Sequence, residues 1–288
     1  MARVVGGVGI SHTPSMGHEY DKAQRGDGRF SARWQPWYDG TRRVGELLDE
    51  MRPDHAVVVY NDHLSHFTLD DYPTLALGVG RSFRQADEGW GLRDVDDIPG
   101  DLEWGLHLSE FLVENEFGIT VSQELAVDHG IFSWFPYLVP SAWDLTITPL
   151  AVNMMRASLP THQRLRHLGE ALRAGVEAFE ADQRVVVIAT GGMSHQIGGA
   201  RFGIANADFD RWFLRSLPDH LDDLVDLPRE EYTRLGVTAA AELFIWFAMR
   251  AALTRQATAA YSFDTFPEIT GCGALVMTEP GAPAPAPR

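Results

Sequence analysis

Short apolar runs that end in polar turns alternate along this chain with longer segments in which apolar residues recur every three or four positions. The short runs predict buried β-strands, and the longer segments predict helices with one apolar face. Strands are predicted at residues 4–10, 56–60, 119–123, 145–152, 184–189 and 273–278, and helices at residues 34–51, 102–116, 161–181 and 238–253. This alternation predicts an α/β fold, in which helices cover both faces of a central, mostly parallel or mixed sheet.

The length and composition of the chain are consistent with one large domain. It has 288 residues, of which 45% are hydrophobic, so it can bury a sizeable core. We expect a single domain over residues 1–279. Residues 280–288 alternate proline and alanine and predict a disordered tail.

Two stretches, residues 18–31 and 82–100, lack clear periodicity. Irregular segments of this length often form the walls of a binding site. Each could therefore be a lid over a site. Each could equally be a surface connection or a contact with another subunit.

The charge and cysteine content narrow the range of partners. The net charge of −16, from 40 acidic and 24 basic residues, disfavours nucleic acid and anionic membranes as partners. The single cysteine, Cys272, excludes an intrachain disulfide framework and a cysteine-rich zinc site. No run approaches the roughly 20 apolar residues that a membrane span needs, and no signal-like core begins the chain, so we expect a cytoplasmic location.

Histidines follow two of the predicted strands. His12 lies in a Ser-His-Thr-Pro turn after residues 4–10, and His63 closes an Asn-Asp-His turn after residues 56–60. In an open α/β sheet, side chains beyond the carboxyl ends of the strands converge on one crevice. We therefore expect a shared metal site, although a single strand-end histidine is commonly only a hydrogen-bonded structural residue. His66 is a weaker candidate ligand three residues after His63.

Glu242 is the only acidic residue in the apolar segment 238–253. An unpaired carboxylate inside a buried helix would cost several kcal/mol, so a compensating cation is implied. The alternative is a salt bridge to Arg250, which lies eight residues away, or about two helical turns. Two histidines and one carboxylate would hold a metal and leave coordination positions free.

Two further histidines lie in turns. His195 ends a Thr-Gly-Gly-Met-Ser-His turn after residues 184–189 and could be a third metal ligand or, as we prefer, a proton shuttle. His129, in Asp-His-Gly, could donate a hydrogen bond to a substrate or to a bound oxygen species, or belong to a structural turn. We expect the remaining histidines to face solvent: His18, His55, His107, His162, His167 and His220.

Several motifs together resemble a known family. They are Ser-His-Thr-Pro at 11–14, Tyr-Asn-Asp-His at 60–63, Ala-Asp-Glu-Gly-Trp-Gly at 86–91, Val-Asp-His-Gly at 127–130, Thr-Gly-Gly-Met-Ser-His-Gln at 190–196 and the helix of Glu242. In order and spacing, from residue 1 to about 278, the chain resembles the class III extradiol (LigB-like) ring-cleavage dioxygenases, the family of the catalytic β subunit of protocatechuate 4,5-dioxygenase.

The resemblance implies a function and a set of site residues. It implies an enzyme in which His12, His63 and Glu242 hold non-haem Fe(II), His195 acts as acid and base, and His129 contacts substrate or oxygen. Both atoms of O2 would enter a catecholic ring, such as that of protocatechuate or gallate, to give a ring-opened semialdehyde. We expect further substrate contacts from Thr13, Asn61 and Thr270, whereas Glu268 would repel a ring carboxylate if it pointed inward.

Other functions and assemblies stay open at this stage. Two histidines and a glutamate also suit Zn2+, as in a zinc hydrolase, although no His-Glu-x-x-His helix is present. A non-catalytic subunit that binds a small molecule is a second alternative. We expect a homo-oligomer, and a small separate α-type subunit could accompany it.

Overall fold

The computed structural model describes residues 1–139, 143–155, 158–236 and 238–281. Within these ranges the strands are β1 (Arg3–Ile10), β2 (His55–Tyr60), β3 (Leu75–Gly78), β4 (Ser82–Phe83), β5 (Ile98–Pro99), β6 (Thr120–Ser122), β7 (Thr146–Val152), β8 (Arg184–Thr190), β9 (Thr258–Thr265) and β10 (Cys272–Thr278). All but β4 and β5, which form a separate pair, join one mixed sheet in the order β6-β3-β7-β2-β8-β1-β10-β9.

Helices connect most of these strands. They are α1 (Pro14–Arg25), α2 (Gln35–Met51), α3 (Leu102–Glu114), α4 (His129–Phe132), α5 (Phe135–Leu138), α6 (His162–Ala178), α7 (Ala207–Ser216), α8 (Leu221–Asp226), α9 (Arg229–Gly236) and α10 (Ile245–Ala251), with 3-10 helices at Gly199–Arg201 and Thr238–Phe244.

Successive residues of the central strands face two separate cores. In β2, Val57 and Val59 pack in a cluster with residues of α3, α6 and α10, whereas Val58 and Tyr60 pack in a second cluster with residues of α2. This alternation follows from the two-residue period of a strand, and it requires helices on both faces of the sheet. The predicted α/β fold of one domain with a mixed, helix-covered sheet is thus confirmed.

Three adjacent strands bring their carboxyl ends to the same edge of the sheet. β8 is parallel to both β1 and β2, with Ile10 opposite Thr190 and Val59 opposite Ala189. The turns that follow these strands therefore lie side by side. They are the turns that carry His12, His63 and His195.

Two predicted segments differ from the structure. Residues 18–25, predicted as irregular, belong to α1, where Pro14 at the first helical position starts the helix. The predicted helix 238–253 is a 3-10 helix up to Phe244 and an α-helix only from Ile245. The 3-10 segment lies close to the turn after β8, where a Cβ added at Gly191 would lie 2.6 Å from the carbonyl oxygen of Glu242. The apolar pattern of the sequence does not indicate this contact.

Two of the six histidines expected to face solvent are buried. His55 lies in β2, where its two ring nitrogens bond to the hydroxyls of Thr146 and Thr148 and its ring stacks on Trp104. Burial lowers the pKa of His55 to about 3. His162 is buried against Phe244. His107 is half-buried and bonded to a backbone carbonyl, while His18, His167 and His220 are exposed as predicted.

Most of the predicted C-terminal tail lies outside the described residues. Residues 282–288 are not described, so the domain boundary at residue 279 stays a prediction.

Among the described residues, no helix has the length and apolar character that crossing a membrane requires.

Gly169 allows α6 and α10 to pack at close range, which gives a test of the core. A Cβ added at Gly169 would lie 2.1 Å from the carbonyl oxygen of Ala248, a backbone atom that cannot move alone. We expect Gly169→Ala to lower the free energy of unfolding by roughly 1–3 kcal/mol in urea denaturation, despite the better helix propensity of alanine.

The matched control for this substitution is Gly45→Ala in α2. There the added Cβ would meet Leu138 at an ordinary 3.7 Å. Stability should then stay equal or rise by up to about 1 kcal/mol. Equal stabilities of the two variants would contradict the close packing of α6 on α10.

Candidate metal centre

His12 presents one ring nitrogen to the crevice because the other is engaged. Its Nδ1 lies 2.7 Å from the hydroxyl oxygen of Thr190, and that hydroxyl donates its own proton to the carbonyl of Gly130 at 3.0 Å. Nδ1 must therefore be the donor to Thr190, which leaves a lone pair on Nε2. Burial lowers the pKa of His12 to about 4, so the ring is neutral near pH 7.

His63 is held in a similar way by a carboxylate. Asp128 accepts hydrogen bonds from the backbone nitrogen of His63 at 2.6 Å and from its Nδ1 at 2.9 Å. Burial opposes a charge on His63, but the charge of Asp128 and the hydrogen bonds to Asp128 and Glu242 outweigh it and hold the pKa of His63 well above its usual value. The pKa of the Asp128 carboxyl is correspondingly lowered, since contact with His63 outweighs its burial.

Glu242 reaches the same crevice from the 3-10 helix. Its Oε2 accepts a hydrogen bond from the backbone nitrogen of Gly192 at 2.7 Å. Burial raises the pKa of this carboxyl, but its contacts with His12 and His63 hold the pKa well below the usual range. The alternative salt bridge from Glu242 to Arg250 does not form, because that guanidinium donates to the backbone carbonyls of Pro218 and Thr254.

The three groups face one another across a gap that suits a cation. Nε2 of His12 lies 3.4 Å from Oε2 of Glu242, and Nε2 of His63 lies 3.7 Å from Oε1. Nε2 of His12 is buried and makes no hydrogen bond within the described part of the chain. A lone pair directed at an ionised carboxylate is unfavourable unless a positive charge lies between them. Two imidazoles and one carboxylate therefore fit a divalent metal ion.

A second set of possible ligands shares two of these residues. Ring nitrogens of His12, His63 and His129 all lie within 4.8 Å of one another. Glu242 is the better third ligand, because it brings the negative charge that a divalent cation needs. A further group, Glu88, Asp128 and His129, is already joined to its neighbours by hydrogen bonds.

His195 lies beside Glu242 at the end of the turn after β8. A Cβ added at Gly192 would lie 2.8 Å from Cε1 of His195 and 3.1 Å from Oε2 of Glu242, so both side chains pack on this glycine. Nδ1 of His195 donates to the carbonyl of Met193 at 2.7 Å. Its Nε2 is the nitrogen left for a proton from a substrate.

The remaining predicted contacts also lie at this edge of the sheet. Asn61 Nδ2 lies 2.9 Å from Nε2 of His63. Thr13 follows His12 directly, and its hydroxyl is buried without a hydrogen-bond partner among the described residues. Thr270 pairs with His195 in an isolated β-bridge. By contrast, His66 accepts from the backbone of Ala126 and takes no part in the centre.

Sequence reasoning missed the residues that orient the imidazoles. The sequence alone assigns no role to Asp128, Thr190 or Glu88. One signal was available for Asp128, because an aspartate before a short helix is a typical N-cap, and its carboxylate does accept from Gly130. Nothing in the sequence indicates that Glu88 lies on His129, since 41 residues separate them.

Curated relatives of this chain include several dioxygenases. It is 33% identical over 204 residues to a gallate dioxygenase of Pseudomonas putida, a match that covers 70% of this chain and 60% of the relative. It is 28% identical over 162 residues to a 2,3-dihydroxyphenylpropionate/2,3-dihydroxicinnamic acid 1,2-dioxygenase of Klebsiella pneumoniae, covering 55% and 47%. The matches thus span 60% or less of the length of these relatives.

A solved structure shares the fold. An uncharacterized protein of Escherichia coli K12 superposes with a TM-score of 0.57 and 15% identity, over 95% of this chain and 99% of that one. At this identity the likeness concerns the fold alone.

The family match extends over nearly the whole sheet. Residues 6–274, from β1 into β10, match the family described as "Catalytic LigB subunit of aromatic ring-opening dioxygenase". This range contains all the residues that meet at the strand ends, including His12, His63 and Glu242. The chain therefore belongs to the LigB family of ring-opening dioxygenase catalytic subunits.

Proposed function

We propose that this protein is an Fe(II)-dependent extradiol dioxygenase that opens a catecholic ring with both atoms of O2. The observation that carries the proposal is the buried lone pair of His12 Nε2, 3.4 Å from the carboxylate of Glu242 and beside the ring of His63. A metal held by these three side chains keeps its remaining coordination positions for ligands from outside. The dioxygenase relatives support the same reaction class.

The iron would supply a positive centre that takes up both catechol oxygens and O2 and passes electrons between them. The protein would supply the shape and polarity of the surroundings. His12, His63 and Glu242 would hold the ion on one side, and the low exposure of these groups would keep bulk water from the reacting atoms.

His195 would act as the acid and base. Because Nδ1 donates to the Met193 carbonyl, Nε2 can accept a proton from a catechol hydroxyl. His195 is 5% exposed, so the proton has few competing acceptors in bulk water. The same imidazole would return that proton to an oxygen when the O–O bond breaks.

Four other side chains would orient the substrate. His129, 4.0 Å from His63 between ring centroids, would donate to or accept from a substrate or dioxygen oxygen. Thr13 and Asn61 would contact substrate oxygens near the metal, and Thr270 would do so from the isolated β-bridge that pairs it with His195. The expected homo-oligomer, a small separate subunit and the cytoplasmic location stay predictions.

The reaction can be tested by oxygen consumption. Anaerobically prepared protein loaded with Fe(II) should consume O2 with one or more members of a catechol panel, half of them bearing a ring carboxylate, and form a yellow semialdehyde. Zn2+-loaded protein should consume none. Absence of O2 uptake with every catechol, at confirmed iron occupancy, would refute the dioxygenase and leave the hydrolase or binding-subunit alternatives.

The metal ligands can be tested through Glu242→Gln. This change keeps the shape of the side chain but removes the negative charge that compensates the cation. We expect the affinity for Fe(II), measured by anaerobic equilibrium dialysis, to fall by about 100-fold or more.

Glu268→Gln is the matched control for this charge change. Glu268 is exposed and accepts a hydrogen bond from Ser15, so its replacement should leave iron affinity within about twofold. Similar iron loss in both variants would exclude Glu242 as the anionic ligand.

The role of His195 can be separated from metal binding. In His195→Ala we expect kcat to fall by about 10²- to 10⁴-fold while Fe(II) affinity stays nearly unchanged, because the ring would move protons rather than hold the ion. His167→Ala, which removes an exposed histidine of α6, serves as the control. Iron loss in His195→Ala equal to that in Glu242→Gln would make His195 a ligand instead.

A further inference from the structure

The segment around Glu88 is firmly attached to the edge of the metal centre. The backbone of Ala86 donates to the carbonyl of Val127 at 2.8 Å, and Val127 donates back to Arg84 at 2.9 Å. Residues 84–86 thus run beside the chain that leads into His129. The predicted irregular stretch 82–100 is therefore fixed, at this point, to a wall of the site.

A buried ion pair fixes the far side of the same segment. Arg93 donates through Nε and Nη2 to the two carboxylate oxygens of Asp21 in α1, both at 2.8 Å. The chain bends between these attachments at Gly89, which has a φ of +90° that favours glycine. Glu88 is held at this bend between two anchored points.

Both carboxylate oxygens of Glu88 bond to a single residue. Oε2 accepts from the backbone nitrogen of His129 at 3.0 Å, and Oε1 lies 2.5 Å from Nδ1 of the same residue. The side chains of Glu88 and His129 are only 6% and 12% exposed. A charge-assisted hydrogen bond screened from water in this way is among the stronger ones in proteins.

This contact determines which nitrogen of His129 faces the reaction. An ionised carboxylate only accepts hydrogen bonds, so Nδ1 must carry a proton. The ring of His129 stacks on that of His63 at 4.0 Å and meets the edge of His12 at 5.3 Å. With Nδ1 engaged by Glu88, Nε2 is the atom available to a ligand of the metal.

We propose that Glu88 is a positioning residue that fixes the orientation and tautomer of His129, so that Nε2 meets an oxygen of the substrate. The inference rests on the proposed function, in which a catechol occupies the metal beside His129. Without Glu88 the ring would keep no acceptor for Nδ1 among its described contacts and could rotate about its side-chain bonds. The contact of Nε2 with the substrate oxygen would then be lost in most molecules.

The kinetic test compares Glu88→Ala with Glu88→Gln. For Glu88→Ala we expect kcat to fall by about 10- to 100-fold with KM and iron affinity nearly unchanged, since the loss concerns orientation in the transition state. Glu88→Gln keeps an oxygen acceptor for Nδ1 and should recover part of this loss. Asp87→Asn, which removes a charge from the exposed neighbouring residue, should retain full activity.

A double-mutant cycle shows whether Glu88 acts through His129. In the His129→Ala background, Glu88→Ala should cause no further decrease in kcat, because the group that it orients is gone. Equal decreases in kcat in both backgrounds would overturn the proposal. So would an unchanged kcat in Glu88→Ala.

A measurement independent of turnover completes the test. In 15N-histidine NMR of the metal-free protein, the protonated Nδ1 of His129, identified by its absence in His129→Ala, should lose its hydrogen-bonded shift in Glu88→Ala and keep it in Asp87→Asn. A shift that persists in Glu88→Ala would refute the role of Glu88. If wild-type protein consumes no catechol, the proposed function fails, and this measurement alone decides whether Glu88 sets the tautomer.

Discussion

The carboxylate of Glu242 is buried against two imidazoles at the carboxyl edge of three parallel strands, and the rest of the site depends on this arrangement. A carboxylate with so little exposure must be compensated, and no arginine or lysine among the described residues does this. Its partners are Gly192, whose amide donates to it, and the nitrogens of His12 and His63. A proton on His63 or a divalent metal between these groups would supply the compensating positive charge, and either leaves the hydrogen bonds of the Nδ1 atoms in place.

The hydrogen bonds that orient the imidazoles of the site follow one rule. In all four histidines of the site, Nδ1 is engaged by an acceptor of the protein: the hydroxyl of Thr190 for His12, Asp128 for His63, Glu88 for His129 and the Met193 carbonyl for His195. Each acceptor leaves Nε2 as the other ring nitrogen, and in His12 and His63 this atom faces Glu242. Outer groups of this kind set the orientation and basicity of metal-bound and catalytic imidazoles.

The sequence predicts the side chains that face the metal centre, but not the side chains that hold the imidazoles in place. Histidines that follow short apolar runs are predicted to lie together, because the carboxyl ends of parallel strands meet at a common edge. Glu242 is conspicuous as the only acidic residue in an apolar segment. Glu88 lies in a polar segment, which is where most acidic residues lie, and Asp128 can be explained from its local sequence as the N-cap of a short helix. Their contacts with His129 and His63 depend on how residues 84–86 pair with Val127 and on the turn after β2, and neither follows from a local pattern.

The same limit explains the errors in the fold. The sequence predicts His55 in solvent because it lies in polar surroundings before the apolar run 56–60, but Thr146 and Thr148 on the neighbouring strand supply both of its hydrogen bonds. The strand β3 has only four residues, and the edge strand β9 is largely exposed, so the sequence predicts no strand at residues 75–78 or 258–265. In each case the pairing partner, rather than the residue itself, determines the structure.

The four acceptors of the Nδ1 atoms differ in charge, and this difference suits the imidazoles to different roles. Asp128 and Glu88 are carboxylates, and a carboxylate stabilises positive charge on the ring that it holds, whether from a metal or from a proton. His63 and His129 therefore suit sites where positive charge or a hydrogen-bond donor must persist. The acceptor of His195 is a backbone carbonyl, which holds Nδ1 as the donor. Nε2 is therefore the nitrogen of His195 that can take a proton from the substrate and return it.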